Sequence, residues 1–332
     1  MPMDVLLFKK LHGEGLVDDA TLAGIEAYEK SGPVSVWRDL LTLLYSGIFL
    51  LTTGLGIIIY ENLDSIGHIA ITLFIAAGVV GCFFYCIKNA RGYRSGKVIQ
   101  VNVWFDYVLL AGCLLLLILT GYLQFEFGLF GDRWGMATFI PMVILFISAY
   151  YFDHIGVLSL AITNCAAWIG LTVTPSRLLR DNDFNSNRII YSAIALGIVL
   201  LVVAAWSTRK KIKRHFSFTY KNFGTHLLFV ALIAAVIVFE RFQFIWFVVL
   251  ADTFYYQFKE AVKEHSFYFL VVAALYFYIG LSYEVVHLLF KVESTGDSVI
   301  YVVLFYFIFS GIGLVSFLMR YNKIIKQHAG LS

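Results

Sequence analysis

Between Leu40 and Met319 the chain alternates between apolar runs of bilayer-crossing length and short polar breaks. The first stretch, Leu40 to His68 (LLTLLYSGIFLLTTGLGIIIYENLDSIGH), opens with roughly twenty apolar residues. That is enough to carry a helix across a hydrocarbon core of ~30 Å. It breaks at the polar turn Glu61-Asn62-Leu63-Asp64, and a second apolar run begins at Ile69. A backbone in lipid has to satisfy its own N–H and C=O groups, so such runs form helices and the pair is a helical hairpin.

The device repeats to the end of the chain. Further spans are expected at Val103 to Leu123, Met136 to Phe152, Ile155 to Val173, Ile189 to Trp206, a seventh ending near Phe239, Phe244 to Phe258, Phe267 to Phe290 and Val299 to Met319. The fold class is therefore all-α, a polytopic transmembrane bundle of about ten spans over residues 39–320. A short helix pair (1–38) precedes it and a basic tail (321–332) follows. Spans seven and eight are short and closely joined, so one of them could tilt or re-enter instead of crossing. With the N-terminus inside, 19 of the 25 Lys and Arg fall in inner segments and six in outer ones. The positive-inside bias thus favours N-in, C-in. Ten spans permit two inverted sets of five, but the two halves do not align residue by residue.

Composition agrees with this reading. Hydrophobic residues make up 60% of the chain, against about half in soluble domains. The four cysteines, Cys82, Cys86, Cys113 and Cys165, all lie inside apolar runs and read as small buried hydrophobes. Cys82 and Cys86 share a helix face but have no His or carboxylate neighbour, so no metal site is expected. No cofactor signature is present either.

Residues 1–38 lack an apolar core and a small-residue cleavage site, so the chain is expected to begin at or near Met1. Met3 to Leu11 reads as a short helix, and Asp18 or Asp19 can cap a second that Gly32-Pro33 stops. This segment holds six acidic and four basic residues. It offers no attraction to phosphate, so nucleic acid is excluded as a partner. Two roles remain for it: a cytosolic cap on the bundle, or a docking module for a protein partner.

The sequence from Gly13 to Glu29 (GEGLVDDATLAGIEAYE), followed by the glycine-rich span from Gly47 to Gly67 (GIFLLTTGLGIIIYENLDSIG), resembles a family of bacterial predicted membrane proteins, domain of unknown function 2157. The resemblance covers about the first ninety residues. It implies a multi-pass protein of the bacterial inner membrane, and it implies no activity and no site residues.

Ionisable groups inside spans are costly and are the candidates for function. Asp252 lies about 12 Å along its span, where an ionised carboxylate needs a wet cavity or a cation. It fits either ligand binding and proton coupling or a hydrogen bond between helices. Glu284 and His287, at i and i+3, share a face near the outer end of span nine. They could relay protons or hold a cation, or simply mark a helix end. Glu61 and Asp64 in the first outer turn, with His68 beside them, fit a solvated loop or a ligand gate. Asp106 and Asp153-His154 read as span ends. The run Arg209 to Arg214 reads as a determinant of orientation that meets anionic headgroups.

No His-Glu-x-x-His, Gly-x-Ser-x-Gly or Walker loop occurs, so nothing marks an enzyme. Two functional classes follow. One is a transporter-like protein binding or moving a lipid or small amphiphile, with membrane lipids as its partners. The other is a scaffold or sensor that docks a partner through residues 1–38.

Overall fold

The computed structural model describes residues 12–13, 17–19, 21, 37–61, 67–93, 95–98, 103–173, 187–292 and 298–328. Asp64 lies outside them. Of Glu61 only its place as the last residue of a helix is described.

The chain divides into two compact units, residues 1–61 with 330–332, and residues 62–329. In the first, α1 runs from Trp37 to Glu61. The hydroxyls of Ser46, Thr52 and Thr53 donate to carbonyls one turn back, which keeps polar side chains satisfied in an apolar helix. Before α1, Asp18 hydrogen-bonds Thr21, which holds its carboxyl below the usual range and matches the capping role expected of it.

The second unit holds nine described helices: α2 (His68–Asn89), α3 (Val103–Phe127), α4 (Trp134–Phe152), α5 (Ile155–Val173), α6 (Asn187–Lys210), α7 (Ser217–Val238), α8 (Gln243–Lys263), α9 (Phe267–Val292) and α10 (Ser298–His328). Consecutive helices pack as antiparallel hairpins, and no strand occurs among the described residues. Among the described residues eight helices, α2 to α7 with α9 and α10, are long and apolar enough to cross a membrane, and α1 shows an apolar stretch from Thr42 to Ile58. The chain is thus a polytopic helical membrane protein. Its exposed surface carries Leu73, Phe84, Ile147, Val202, Phe244 and Phe309, as expected of a bundle solvated by acyl chains instead of water.

The α6–α7 hairpin is the tightest. A Cβ on Gly197 would lie 3.0 Å from the backbone N of Leu228, and one on Gly224 would lie 3.1 Å from the carbonyl O of Gly197. Only glycine lets the two backbones approach so closely. The core then runs in two parts. Leu109, Cys113, Leu145, Leu158 and Phe216 are buried among α3, α4, α5 and the α6–α7 turn. Phe229, Leu232, Leu250 and Ala273 are buried among α7, α8 and α9.

Charge at Asp252, Lys259, Glu260 and Lys263 makes α8 less apolar than its neighbours, yet it covers the same depth as α7. Near its start Trp246 stacks at 5.7 Å on Phe239, which caps the end of α7. At its far end Glu264 pairs with Lys221 in the second turn of α7. Twenty-one residues at 1.5 Å each make a helix of about 31 Å. Neither member of the expected soft pair turns back part-way. The final helix, α10, continues through residues 321–328 and packs along α9, with Phe317 and Tyr321 also meeting Phe258 of α8.

One end of this unit gathers the chain's basic turns. Residues 95–98, Asp153 and Lys213–His215 touch one another. The ends of α8 and α10 meet there too, where Ala261, Phe269, Leu270 and Ile325 cluster.

Candidate functional site

A groove opens at that basic end between α6 and α8, with α7 as its floor. Its mouth is a cavity of about 400 Å³ lined by Thr208 and Arg209 of α6, Ser217 and Lys221 of α7, and Gln257, Glu260 and Lys263 of α8. It continues into a second space of about 510 Å³ that reaches Asp252, Tyr255, Lys259, Leu201 and Leu228. The two share Leu201, Tyr256, Gln257, Glu260 and Lys263, so they form one groove. The wall mixes charged and apolar groups along its length: Arg209, Lys221 and Ala204 line only the mouth, Leu228, Tyr255 and Asp252 only the deeper part, and Leu201, Glu260 and Lys263 line both.

The helix period of α8 explains why its polar residues line the groove. Asp252, Tyr256, Lys259, Glu260 and Lys263 recur three and four residues apart and share one face. The opposite face buries Leu250 and Ala261. Lys221 is neutralised by Glu264. The amide of Gln257, 2% exposed, donates to Thr225 Oγ1 at 3.4 Å. Asp252 is exposed and has no ion pair or hydrogen bond among the described residues. Asp252 is thus the carboxylate at the deep end of a groove that polar groups line from its mouth.

The other expected pair is arranged differently. His287 lines an apolar cleft of about 500 Å³ between α9 and α10, with Tyr278, Ser282 and Phe307. Its ring stacks on Tyr283 at 5.9 Å. Glu284 has one carboxylate oxygen buried without a hydrogen-bond partner, and no hydrogen bond or ion pair joins it to His287 among the described residues. Asp252 faces the groove instead, so these residues do not form a single site. His68 makes contacts within the second unit, its Nδ1 lying 2.9 Å from Tyr122 Oη and 3.2 Å from Glu126 Oε2.

Two polar clusters were not expected. In the α7–α9 interface Tyr268 donates its one hydroxyl proton to Asn222 Oδ1 at 2.6 Å. Its oxygen must then accept from His226 Nε2 at 3.2 Å, which leaves His226 Nδ1 to accept from Tyr276 at 2.9 Å. Every polar atom of the neutral imidazole is satisfied.

The second cluster centres on Asp153, whose side chain is 1% exposed. Its Oδ1 accepts from Lys213 Nζ at 2.8 Å and from His215 Nε2 at 2.7 Å, and its Oδ2 accepts from the Val98 amide. Lys213, 0% exposed, also sends its backbone N–H to Ser95 O at 2.8 Å. Beside Asp153, His154 Nδ1 accepts the Val157 amide at 3.1 Å and so caps α5. Burial pushes the His154 imidazole down to about 4 against the pull of Asp153. Orientation alone therefore does not account for the run Arg209 to Arg214, because its Lys213 is fully buried. Asp153 is more than a span end. One signal for this lies in the sequence: Asp153 is the only acid in the three turns 88–102, 153–154 and 207–216.

No curated protein and no solved structure matches the chain. The family match runs past the first ninety residues that carried the resemblance, taking in α2, α3, α4 and the first turn of α5. Residues 9–158 match the family described as Predicted membrane protein (DUF2157).

Proposed function

We propose that the protein binds, and in a transporter-like way moves, a lipid or small amphiphile held in the α6–α7–α8 groove. One observation carries the reading: a single groove is lined by both charged and apolar groups, with Arg209 and Lys221 at its mouth, Leu201 and Leu228 on its wall and Asp252 exposed at its far end. An amphiphile carries the same two kinds of surface. A carboxylate at mid-helix needs water or a cationic group beside it, and the groove supplies a path for either. Asp252 is then the binding or proton-coupling residue. The basic end faces the cytoplasm by the positive-inside bias, giving N-in, C-in in a bacterial inner membrane.

Native mass spectrometry of the purified protein beside Asp252→Asn and Glu284→Gln tests this. A co-purified amphiphile is expected on the parent protein and on Glu284→Gln, and is lost from Asp252→Asn. A ligand-free spectrum of the parent protein refutes the reading.

A second reading, docking of a protein partner through residues 1–38, draws support from residues 1–61 belonging to a unit of their own. Deleting residues 1–36 should then remove a co-purifying protein while the bundle stays folded. Unchanged co-purification would dismiss it.

A further inference from the structure

We propose that Asp153 is a positioning residue for the groove: with Lys213 and His215 it forms a latch that fixes the α6–α7 turn, and with it the groove's mouth. The inference rests on the groove reading for its consequence, while the latch stands on its own contacts.

Three turns far apart in sequence meet at one carboxylate. Lys213 and His215 come from the α6–α7 turn, Val98 from the α2–α3 turn, and Asp153 from between α4 and α5. Lys213 adds a bond from its amide to Ser95 O, and its ammonium lies 5.3 Å from the Tyr93 ring centre. From the latch to the groove is a short step. Ser207 Oγ donates to Ile212 O at 2.7 Å and to Lys213 O at 3.3 Å. The next residue, Thr208, donates to Ser217 Oγ at 2.7 Å. Thr208, Arg209 and Ser217 line the mouth.

Two further observations separate this from ordinary packing. Burying an ion pair costs desolvation that apolar residues would avoid, so the pair contributes a specified arrangement more than stability. The turns it joins also hold three of the four described non-glycine residues at positive φ, Asp153, Lys211 and Lys213. Such conformations persist only where surrounding contacts over-determine them. Asp153 lies within the family-matched stretch and Lys213 beyond it, so the latch couples that stretch to the groove-bearing helices.

Hydrogen–deuterium exchange on the full chain in detergent tests the latch, comparing the parent protein with Asp153→Asn and Asp153→Glu. Peptides covering residues 207–217 should exchange at least tenfold faster in Asp153→Asn, with α9 unchanged, and Asp153→Glu should restore protection. Exchange unchanged at 207–217, or lost from all helices together, would overturn the latch. In the parent protein, amine acetylation should modify Lys210 and Lys211 and spare Lys213. Equal modification of all three overturns the latch without any variant. Native mass spectrometry of the same variants reads the consequence: Asp153→Asn should lose the amphiphile and Asp153→Glu regain it. Retention of the amphiphile with a released turn removes the positioning role. A parent protein carrying no amphiphile fails the groove reading, and the exchange data still decide the latch.

Discussion

His154 should make the protein acid-sensitive in a defined window. Its Nδ1 accepts the Val157 amide and its ring is 7% exposed, so the folded state holds it neutral. Burial lowers it from 6.5 to about 4. At about 1.4 kcal/mol for each tenfold change in proton affinity, that gap corresponds to about 3 kcal/mol. The sign follows from which state binds the proton. Below 6.5 the unfolded chain takes up a proton that the folded chain refuses, so stability rises with pH across the window. His154 therefore contributes its full stability above about 6.5 and loses it as pH falls toward 4. Asparagine at this position can still accept the Val157 amide as an N-cap but does not titrate. Thermal unfolding in detergent, followed by tryptophan emission between pH 7.5 and 4.5, should show a steeper acid loss for the parent protein than for His154→Asn. Carboxylates elsewhere act alike in both proteins and cancel. Parallel pH profiles would refute the reasoning.

Two stability measurements bear on the packing. Lys213→Met leaves Asp153 buried beside fewer donors and should cost about 3–5 kcal/mol, whereas Asp153→Leu combined with Lys213→Met should cost less than the single change; denaturant unfolding of both decides it, and a double variant worse than Lys213→Met contradicts it. Gly197→Ala should cost about 1–3 kcal/mol, because its methyl would press on the Leu228 backbone at 3.0 Å and force α6 from α7; an unchanged melting midpoint would show that the crossing has slack.

The helices were legible because run length alone decides them: a backbone in lipid has no cheaper solution than a helix, so each apolar run maps onto one. Asp252 was legible for a related reason, since a charge inside such a run stands out. Lys213 was not. In a topology count it is one of several equivalent cations beside Lys210, Lys211 and Arg214, and only the turn geometry sends it inward while they stay exposed. Its partner is distant in sequence, and no periodicity links Asp153 to residue 213. Glu284 and His287 show the opposite limit. Their spacing places them on one face, but the neighbours of that face are supplied by α10, whose position no local pattern encodes.

The burial pattern also says which wall of the groove is rigid. Ten residues of α7 are buried, and its close crossing with α6 leaves no room for a methyl group at Gly197 or Gly224. On α8 only Leu250, Gln257 and Ala261 are buried, and in α10 only Val299 and Ile325, at the two ends of its apolar span, are. Local stability follows the density of buried contacts, so the α6–α7 wall is the fixed one and α8 the wall that yields. A rigid wall is also what the Asp153 latch holds, since it grips the α6–α7 turn. If an amphiphile enters from the lipid side, then, α8 has to give way, carrying Asp252 with it, while Arg209 and Lys221 stay in place.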